Sequence, residues 1–223
     1  KNLFANIGCK PTINISFDNK GATFSTIRSS DSNYSGSSKF HAFTLINGNY
    51  VIIEREDSSS AVYFRIYDGN HNLVKSATTV VSSTQGSYIF GTSLNSGNFV
   101  IVYGLSYSVY AKVYDIDGNL VTGATVLTGG VNGGTILNIQ GLKSTSDNFV
   151  VSWIGQTDYY YYFQVFDGSL TAQSSARGIV TDARNIGSPV EKNRIIPLSN
   201  GNFAILLRSE EHTSELQSHL NIV

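Results

Sequence analysis

The chain has 223 residues, of which 41% are hydrophobic and 14% are charged, and its formal net charge is −1. It is long enough to bury a substantial core, and its many Tyr, Phe, Val and Ile residues argue against disorder. The near-zero charge gives no reason to expect nucleic acid as a partner, and no apolar run reaches the roughly 18 residues of a membrane span.

Two short phrases recur along the sequence. The first is Asn followed by an aromatic or apolar run, and its copies begin at Asn49, Asn98, Asn148 and Asn202. The second is an aromatic residue followed by aspartate, and its copies end at Asp18, Asp68, Asp115 and Asp167. Because both phrases return after about fifty residues, the sequence predicts a tandem repeat of one supersecondary unit.

The phase of the two phrases predicts the domain organisation in chain order. Residues 1–37 are predicted to hold the third and fourth strands of an incomplete unit. Three complete units follow, at 38–86, 87–134 and 135–190, and residues 191–207 begin another.

The unit at 87–134 displays its predicted strands most clearly. Short runs rich in β-branched and aromatic residues alternate with polar turns that contain glycine, which is typical of antiparallel hairpins. The four predicted strands occupy residues 87–94, 98–103, 109–114 and 120–127. In the second of these strands the residues after Asn98 are apolar without interruption, so both of its faces are expected to be buried.

These patterns predict an all-β fold, namely a fragment of a β-propeller built from four-stranded antiparallel blades. Radial stacking of such sheets buries both faces of the middle strands, and about fifty residues suffice for one blade. Tandem small β-sandwiches are the alternative, although fifty residues are about half of a usual sandwich domain. The incomplete units at both ends predict an open arc cut from a propeller with more blades.

The C-terminal segment 208–223 is interpreted separately. Residues 208–219 resemble the translation of a sequencing-adapter oligonucleotide, and they begin abruptly within an apolar strand. The segment is therefore expected to be an artefact, and Glu210, Glu211 and His212 are assigned no function. Since the chain contains no methionine, we also expect that its natural start and any targeting segment are absent.

The recurring aspartates are expected to be structural. Each one follows the third strand of a unit, where the carboxylate of an Asx-turn accepts hydrogen bonds from backbone N–H groups. The alternative is calcium, for which Asp115 and Asp117 are the candidates, because their Asp-Ile-Asp-Gly-Asn sequence resembles the start of a calcium loop. The downstream glutamate of such a loop is missing. No other cofactor is expected, and no residue is assigned a catalytic role.

The loops that follow the second and fourth strands differ from unit to unit, whereas the other turns recur. In an antiparallel meander these variable loops all emerge at one end of the sheets, and variable loops on a rigid scaffold often carry recognition. The alternative is that the loop sequences vary without any role in recognition. The residues expected to contribute to binding are Tyr107, Asp158, Tyr159, Tyr160 and Arg184.

Other chemically notable residues are expected to have no binding or catalytic role. Trp153, the only tryptophan, occupies the position that Tyr103 holds in the preceding unit, so we expect it to pack. His41 and His71 lie far apart in sequence without matching ligands. The single cysteine, Cys9, can form neither an intrachain disulfide nor a zinc site.

Segments 94–103 (LNSGNFVIVY) and 110–119 (YAKVYDIDGN) resemble the repeats of secreted or cell-surface proteins, among them bacterial adhesin-like proteins and large protist proteins. The resemblance extends over most of residues 12–207. It implies a β-propeller-like repeat and an extracellular or cell-surface location, and it implies no activity.

The sequence therefore favours a non-enzymatic repeat scaffold that binds a protein or a glycan through the loops at one face. The first alternative is a fragment of a propeller enzyme, a hydrolase or lyase whose site lies in other blades. The second alternative is a structural spacer.

Overall fold

The computed structural model describes residues 3–6, 12–18, 21–23, 40–56, 59–84, 88–105, 108–128, 134–142, 147–155, 160–179 and 193–207. Every regular element among them is a β-strand, and none is a helix. The predicted all-β fold is therefore confirmed. Cys9 and the segment 208–223 lie outside the described residues.

The described strands pair antiparallel with their neighbours in chain order. The N-terminal sheet consists of β1 (Leu3–Asn6), β2 (Thr12–Asp18) and β3 (Gly21–Thr23). The first sheet consists of β4 (Phe40–Thr44), β5 (Tyr50–Arg55), β6 (Val62–Tyr67) and β7 (Leu73–Val81). The second sheet consists of β8 (Ile89–Ser93), β9 (Phe99–Leu105), β10 (Ser108–Tyr114) and β11 (Leu120–Thr128). The third sheet consists of β12 (Gly134–Gly141), β13 (Phe149–Gly155), β14 (Tyr161–Phe166) and β15 (Arg177–Ile179), and the C-terminal hairpin consists of β16 (Asn193–Pro197) and β17 (Phe203–Leu207).

The strands of the second sheet begin and end close to their predicted positions. The main difference lies at residues 104–108, which the sequence predicted to be a loop. Leu105 pairs with Ser108 and Gly104 pairs with Val109, so the hydrogen-bonded ladder continues into this segment. Only residues 106–107 separate the two strands, because a ladder that is already in register extends with little further cost in entropy.

The N-terminal sheet differs from its prediction in the number of strands. The sequence predicted only a third and a fourth strand before residue 37. In the structure, β1 pairs along β2 from Leu3 opposite Ile15 to Asn6 opposite Thr12. The short sequence before Thr12 carries a further copy of the Asn phrase, in which Leu3, Phe4 and Ala5 follow Asn2, and the prediction missed it.

The second strand of each unit is buried on both faces, as its apolar run predicted. In β9, Phe99 and Ile101 belong to the core between the first and second sheets, and Val100 and Val102 belong to the core between the second and third sheets. Successive side chains of a strand point to opposite faces, so the second sheet contributes one layer to each of two cores. In β13, Val150 likewise packs toward the C-terminal hairpin.

Consecutive sheets approach each other closely at their first strands. A Cβ atom added to Gly91 in β8 would lie 2.5 Å from Cε1 of Phe43 and 2.8 Å from Cδ1 of Ile53, which belong to the first sheet. A Cβ atom on Gly141 in β12 would lie 2.5 Å from the backbone oxygen of Ser93. Glycine is therefore required where one sheet meets the next.

The fourth strands form the opposite edges of the sheets and expose apolar side chains. In β7 and β11 the exposed large hydrophobic residues are Leu73, Val74, Leu120, Val121 and Val126. Both strands contain register irregularities against their partners. Such bulges hinder pairing of an edge strand with another chain.

Candidate functional site

The two ends of the sheets differ in construction. We call the end that holds the turns between strands one and two and between strands three and four the turn face. We call the opposite end the loop face, and it holds the connections after β5, β7, β9, β11, β13 and β15.

The turns between strands one and two share one conformation in the first sheet, the second sheet and the C-terminal hairpin. The N–H of Gly97 donates to the oxygen of Leu94 at 3.1 Å, and the N–H of Leu94 donates to the oxygen of Asn98 at 2.8 Å. Gly97 has a φ of 97°, and Gly48 and Gly201 at the equivalent positions have a φ of 84°. A left-handed glycine after a tight turn closes a three-residue hairpin loop. Backbone geometry thus explains why a glycine precedes Asn49, Asn98 and Asn202.

The turns between strands three and four repeat a second conformation. Oδ1 of Asp115 accepts hydrogen bonds from the N–H groups of Asp117 at 3.0 Å and Asn119 at 2.7 Å. Asp68 accepts the same bonds from Asn70 and Asn72. Asp167 accepts equivalent bonds from Ser169 and Thr171. At these three positions the recurring aspartate therefore stabilises its own turn. Asp18 is described only as the last residue of β2.

The hydrogen bonds also account for the acidity of these carboxyls. The side chain of Asn72, and to a smaller extent its backbone N–H, donate hydrogen bonds to Asp68, and these bonds keep the pKa of Asp68 below its ordinary value. Partial desolvation raises the pKa of Asp115, but the backbone and side chain of Asn119 outweigh it and leave that pKa low. Ionised carboxylates accept stronger hydrogen bonds.

The carboxylate of Asp115, a candidate calcium ligand, already accepts hydrogen bonds at both of its oxygens. Both oxygens of Asp115 accept N–H donors, since Nδ2 of Asn119 donates to Oδ2 at 3.0 Å. Asp117 contributes its backbone N–H to this turn. Among the described residues, no group of three or more His, Cys, Asp or Glu side chains could hold a metal ion.

At the loop face the structure describes one of the five predicted binding residues. Tyr160 is 37% exposed, and its ring centroid lies 6.5 Å from that of Tyr162. The oxygen of Tyr160 accepts a hydrogen bond from Gly155, which closes the loop before β14. Tyr161 is buried, so the consecutive rings alternate between environments as a strand requires. Tyr107, Asp158, Tyr159 and Arg184 lie outside the described residues, and their convergence stays a prediction.

Trp153 packs inside the protein. It is 1% exposed within the core between the second and third sheets, and it stacks on Tyr162 with ring centroids 5.7 Å apart. Tyr103 and Tyr110 form the equivalent pair in the second sheet. The indole is thus part of a repeated packing contact.

His41 and His71 make different contacts. Nε2 of His41 donates a hydrogen bond to the oxygen of Gly91 at 2.8 Å, which links the first strands of two sheets. Nδ1 of His71 lies 3.0 Å from the hydroxyl of Tyr50. Burial lowers the pKa of His41 to about 4, against a smaller opposing effect of the bond to Gly91.

Arg55 is the loop-face residue that sequence reasoning missed. It ends β5 and is partly buried, and its Nη2 donates to Oγ of Ser60 at 2.9 Å. Its Nε is buried and has no hydrogen-bond partner among the described residues. A comparison of the units could have found it: Arg55 ends the second strand of its unit at the position that Gly104 holds in the next unit.

No family model and no curated protein matches the chain. No helix long and apolar enough to cross a membrane occurs in the part of the chain that the structure describes.

Proposed function

We propose that the chain is a non-enzymatic scaffold, an arc of a β-propeller that binds a glycan or a protein through its loop face. The observation that carries this proposal is the difference between the two ends of the sheets. The turns of the turn face repeat two conformations, whereas the loops of the loop face differ in sequence from unit to unit and present side chains such as Tyr160 and Arg55.

The propeller part of the proposal is supported by how the sheets meet. The first strand of each sheet packs against the first strand of the next, from β4 to β8 to β12 to β16. The fourth strands β7 and β11 are largely exposed. Sheets that converge at one edge and open at the other are arranged as blades around an axis.

The recognition part is supported by the rigidity of the scaffold behind the loops. Thr84, which follows β7, donates its hydroxyl to the oxygen of Gly104 at the end of β9, and its N–H donates to Ser60. A loop whose first residues are hydrogen-bonded to the next sheet has a fixed position relative to that sheet. A preorganised surface loses less entropy on binding.

The chemistry of the loop face favours a polar ligand. Its described side chains include the hydroxyls of Ser59, Ser60 and Thr84, the charged groups of Arg55 and Glu56, and the half-exposed ring of Tyr160. Tyrosine gives rigid, amphipathic contact area, and serine gives adaptable hydrogen bonds, a combination common in binding loops. We place such a scaffold at the cell surface or outside the cell.

A glycan array probed with the full chain tests this proposal. We expect signal on a subset of glycans, and we expect Tyr160→Ala to reduce that signal while Asn70→Ala, at an exposed position of the turn face, preserves it. Equal signals from the two variants would contradict recognition through the loop face. An array without signal above background would contradict the glycan form of the proposal.

A further inference from the structure

The exposed apolar side chains of the described residues are concentrated at the turn face. Eight large hydrophobic residues among them are exposed, and only Val126 and Tyr160 lie toward the loop face. The other six lie in a turn of the turn face or within two residues of one: Ile46, Leu73, Val74, Leu120, Val121 and Ile196. Single exposed apolar residues are ordinary on a protein surface, whereas a contiguous set indicates an interaction surface.

Two isoleucines from neighbouring sheets meet at the turn between β8 and β9. A Cβ atom added to Gly97 in this turn would lie 3.2 Å from Cδ1 of Ile46 and 3.7 Å from Cδ1 of Ile116. Ile46 lies in the turn between β4 and β5 and is 62% exposed, and Ile116 lies in the turn between β10 and β11. The turns of the first and second sheets therefore contact each other through apolar side chains.

The fourth strands of the same two sheets are joined beside these turns. Nζ of Lys75 in β7 donates a hydrogen bond at 3.1 Å to Oδ1 of Asn119, which directly precedes β11. The exposed residues 73–74 precede Lys75, and the exposed residues 120–121 follow Asn119, so the bond places these two apolar pairs next to each other. We call the resulting set the turn-face patch, and its members are Ile46, Leu73, Val74, Ile116, Leu120 and Val121.

Negative charge surrounds the turn-face patch. At this end of the three four-stranded sheets the described residues include five aspartates but only one Lys or Arg, which is Lys75. The aspartates are Asp68, Asp115, Asp117, Asp147 and Asp167. Toward the loop face, apart from the ion pair of Glu54 with Arg65, the described charges are those of Arg55, Glu56, Arg177 and Arg194. The two ends of the sheets thus carry opposite excess charge.

We propose that the turn-face patch binds a basic amphipathic helix of a protein partner. The apolar side chains of the helix cover the patch, and its Lys and Arg side chains lie against the surrounding aspartates. A helix is favoured over an extended peptide, because the register irregularities of β7 and β11 hinder the addition of a further strand. The patch lies at the opposite end of the sheets from the loop face, and its partner is independent of the ligand proposed there.

The charge distribution disfavours other occupants of the patch. A second copy that met it with its own turn face would bring the aspartates of both copies together, and an anionic lipid surface is repelled by the same carboxylates. The loop face of a second copy carries arginines, but the large hydrophobic side chains exposed toward it among the described residues are only Val126 and Tyr160. It therefore offers little apolar area to cover the patch.

Fluorescence anisotropy of labelled peptides with the full chain tests the proposal. The probe is a helix of about 14 residues with Leu on one face and Lys on the other, which is long enough to fold on contact. One control peptide has the same composition in scrambled order, and the other has Glu in place of Lys. We expect the Leu/Lys helix to bind at least about tenfold more tightly than either control, and to bind less tightly as salt is added. Absence of binding, or equal affinity for either control peptide, would overturn the proposal.

Two valines of β11 provide a matched pair of variants. Val121→Thr, within the patch, should weaken binding of the Leu/Lys helix about fourfold, because one methyl group is lost from the contact. Val126→Thr should leave the affinity unchanged, because Val126 is similarly exposed, at 50% against 55%, but lies outside the patch. Equal affinities of these two variants would place the helix elsewhere and would overturn the proposal.

Two acidic residues provide the corresponding test of charge. Asp117 is exposed and enters its turn through its backbone N–H, so Asp117→Asn keeps the turn. This variant should weaken binding about twofold to threefold, whereas Glu56→Gln, at an exposed position of the loop face, should not. Equal affinities of these two variants would contradict the charge complementarity on which the choice of a basic helix depends, and would overturn it.

Two further measurements identify the other occupants. Vesicles of phosphatidylcholine, which carries no net charge, are tested by co-sedimentation, and self-association of the chain is tested by analytical ultracentrifugation. If the Leu/Lys helix does not bind and Val121→Thr weakens vesicle binding, the patch belongs to a lipid surface. If the helix does not bind and Val121→Thr weakens self-association, it belongs to a second copy. Either result would overturn the proposed helix.

Discussion

Phe99 and Tyr114 stack across β9 and β10, with ring centroids 5.4 Å apart and planes inclined by 18°. Phe99 opens the second strand of its unit, and Tyr114 closes the third. The same pair recurs as Tyr50 with Tyr67 and as Phe149 with Phe166. The two recurring phrases of the sequence are therefore the two halves of one cross-strand contact, which explains why they share one period.

The close approach at Gly91 gives the first prediction. Gly91→Ala should lower the free energy of unfolding by about 1–3 kcal/mol, because the new Cβ meets Phe43 and Ile53 of the neighbouring sheet. The matched control is Gly123→Ala in β11, where nothing lies within 4 Å of the added Cβ. Urea denaturation of both variants measures the difference. Equal stabilities of the two variants would show that the sheets are not in contact at Gly91.

The partly buried contact of His41 gives a prediction about pH. The pKa of His41 is lowered by burial from 6.5 to about 4 in the folded state, so the unfolded state binds the extra proton more readily between these values. Its contribution to stability is therefore full above about pH 6.5 and declines as the pH falls toward 4. The loss amounts to at most about 3 kcal/mol.

His41→Gln is the control for this titration. The aspartates whose pKa values are lowered, Asp68, Asp115 and Asp167, lose their contributions only as the pH falls through the range of carboxyl groups. The interval between about pH 5 and 6.5 therefore reports His41 among these groups. The melting temperature should depend less on pH across this interval in the variant than in the unchanged protein. An equal pH dependence of the two melting temperatures would contradict a partly buried, neutral imidazole at position 41.

The turn at Asp115 predicts unequal effects of two neighbouring aspartates. Asp115→Ala should cost about 1–2 kcal/mol of stability, because two backbone N–H groups and the Asn119 amide lose their acceptor. Asp117→Ala should stay within about 0.5 kcal/mol, because Asp117 takes part in the turn through its backbone N–H. Melting temperatures of both variants measure this, with and without added calcium. A rise of the melting temperature with calcium that Asp117→Ala abolishes would revive the calcium alternative.

Sequence and structure agree where local pattern decides the conformation. The apolar run after Asn98 predicted a strand buried on both faces, and Phe99 and Val100 do lie in two different cores. The sequence did not predict the pairing of Leu105 with Ser108, because ladder extension depends on a register that only the folded sheet defines. It also missed Arg55, because the burial of its Nε and the missing hydrogen-bond partner of that atom can be recognised only in the folded protein. The burial of His41 likewise depends on Gly91, fifty residues away in the next sheet.

The second sheet is covered on both sides by its neighbours, so that its second strand, β9, has no solvent face. Adjacent residues of β9 allow this coverage to be tested: Ile101 belongs to the core with the first sheet and Val102 to the core with the third. The measurement is the free energy of unfolding of Ile101→Ala and Val102→Ala in urea. We predict a loss of about 2 kcal/mol or more for Ile101→Ala and of at least about 1 kcal/mol for the smaller Val102. If either variant stays within about 0.5 kcal/mol of the unchanged protein, as surface substitutions do, one face of β9 is open and the stacked arrangement is wrong.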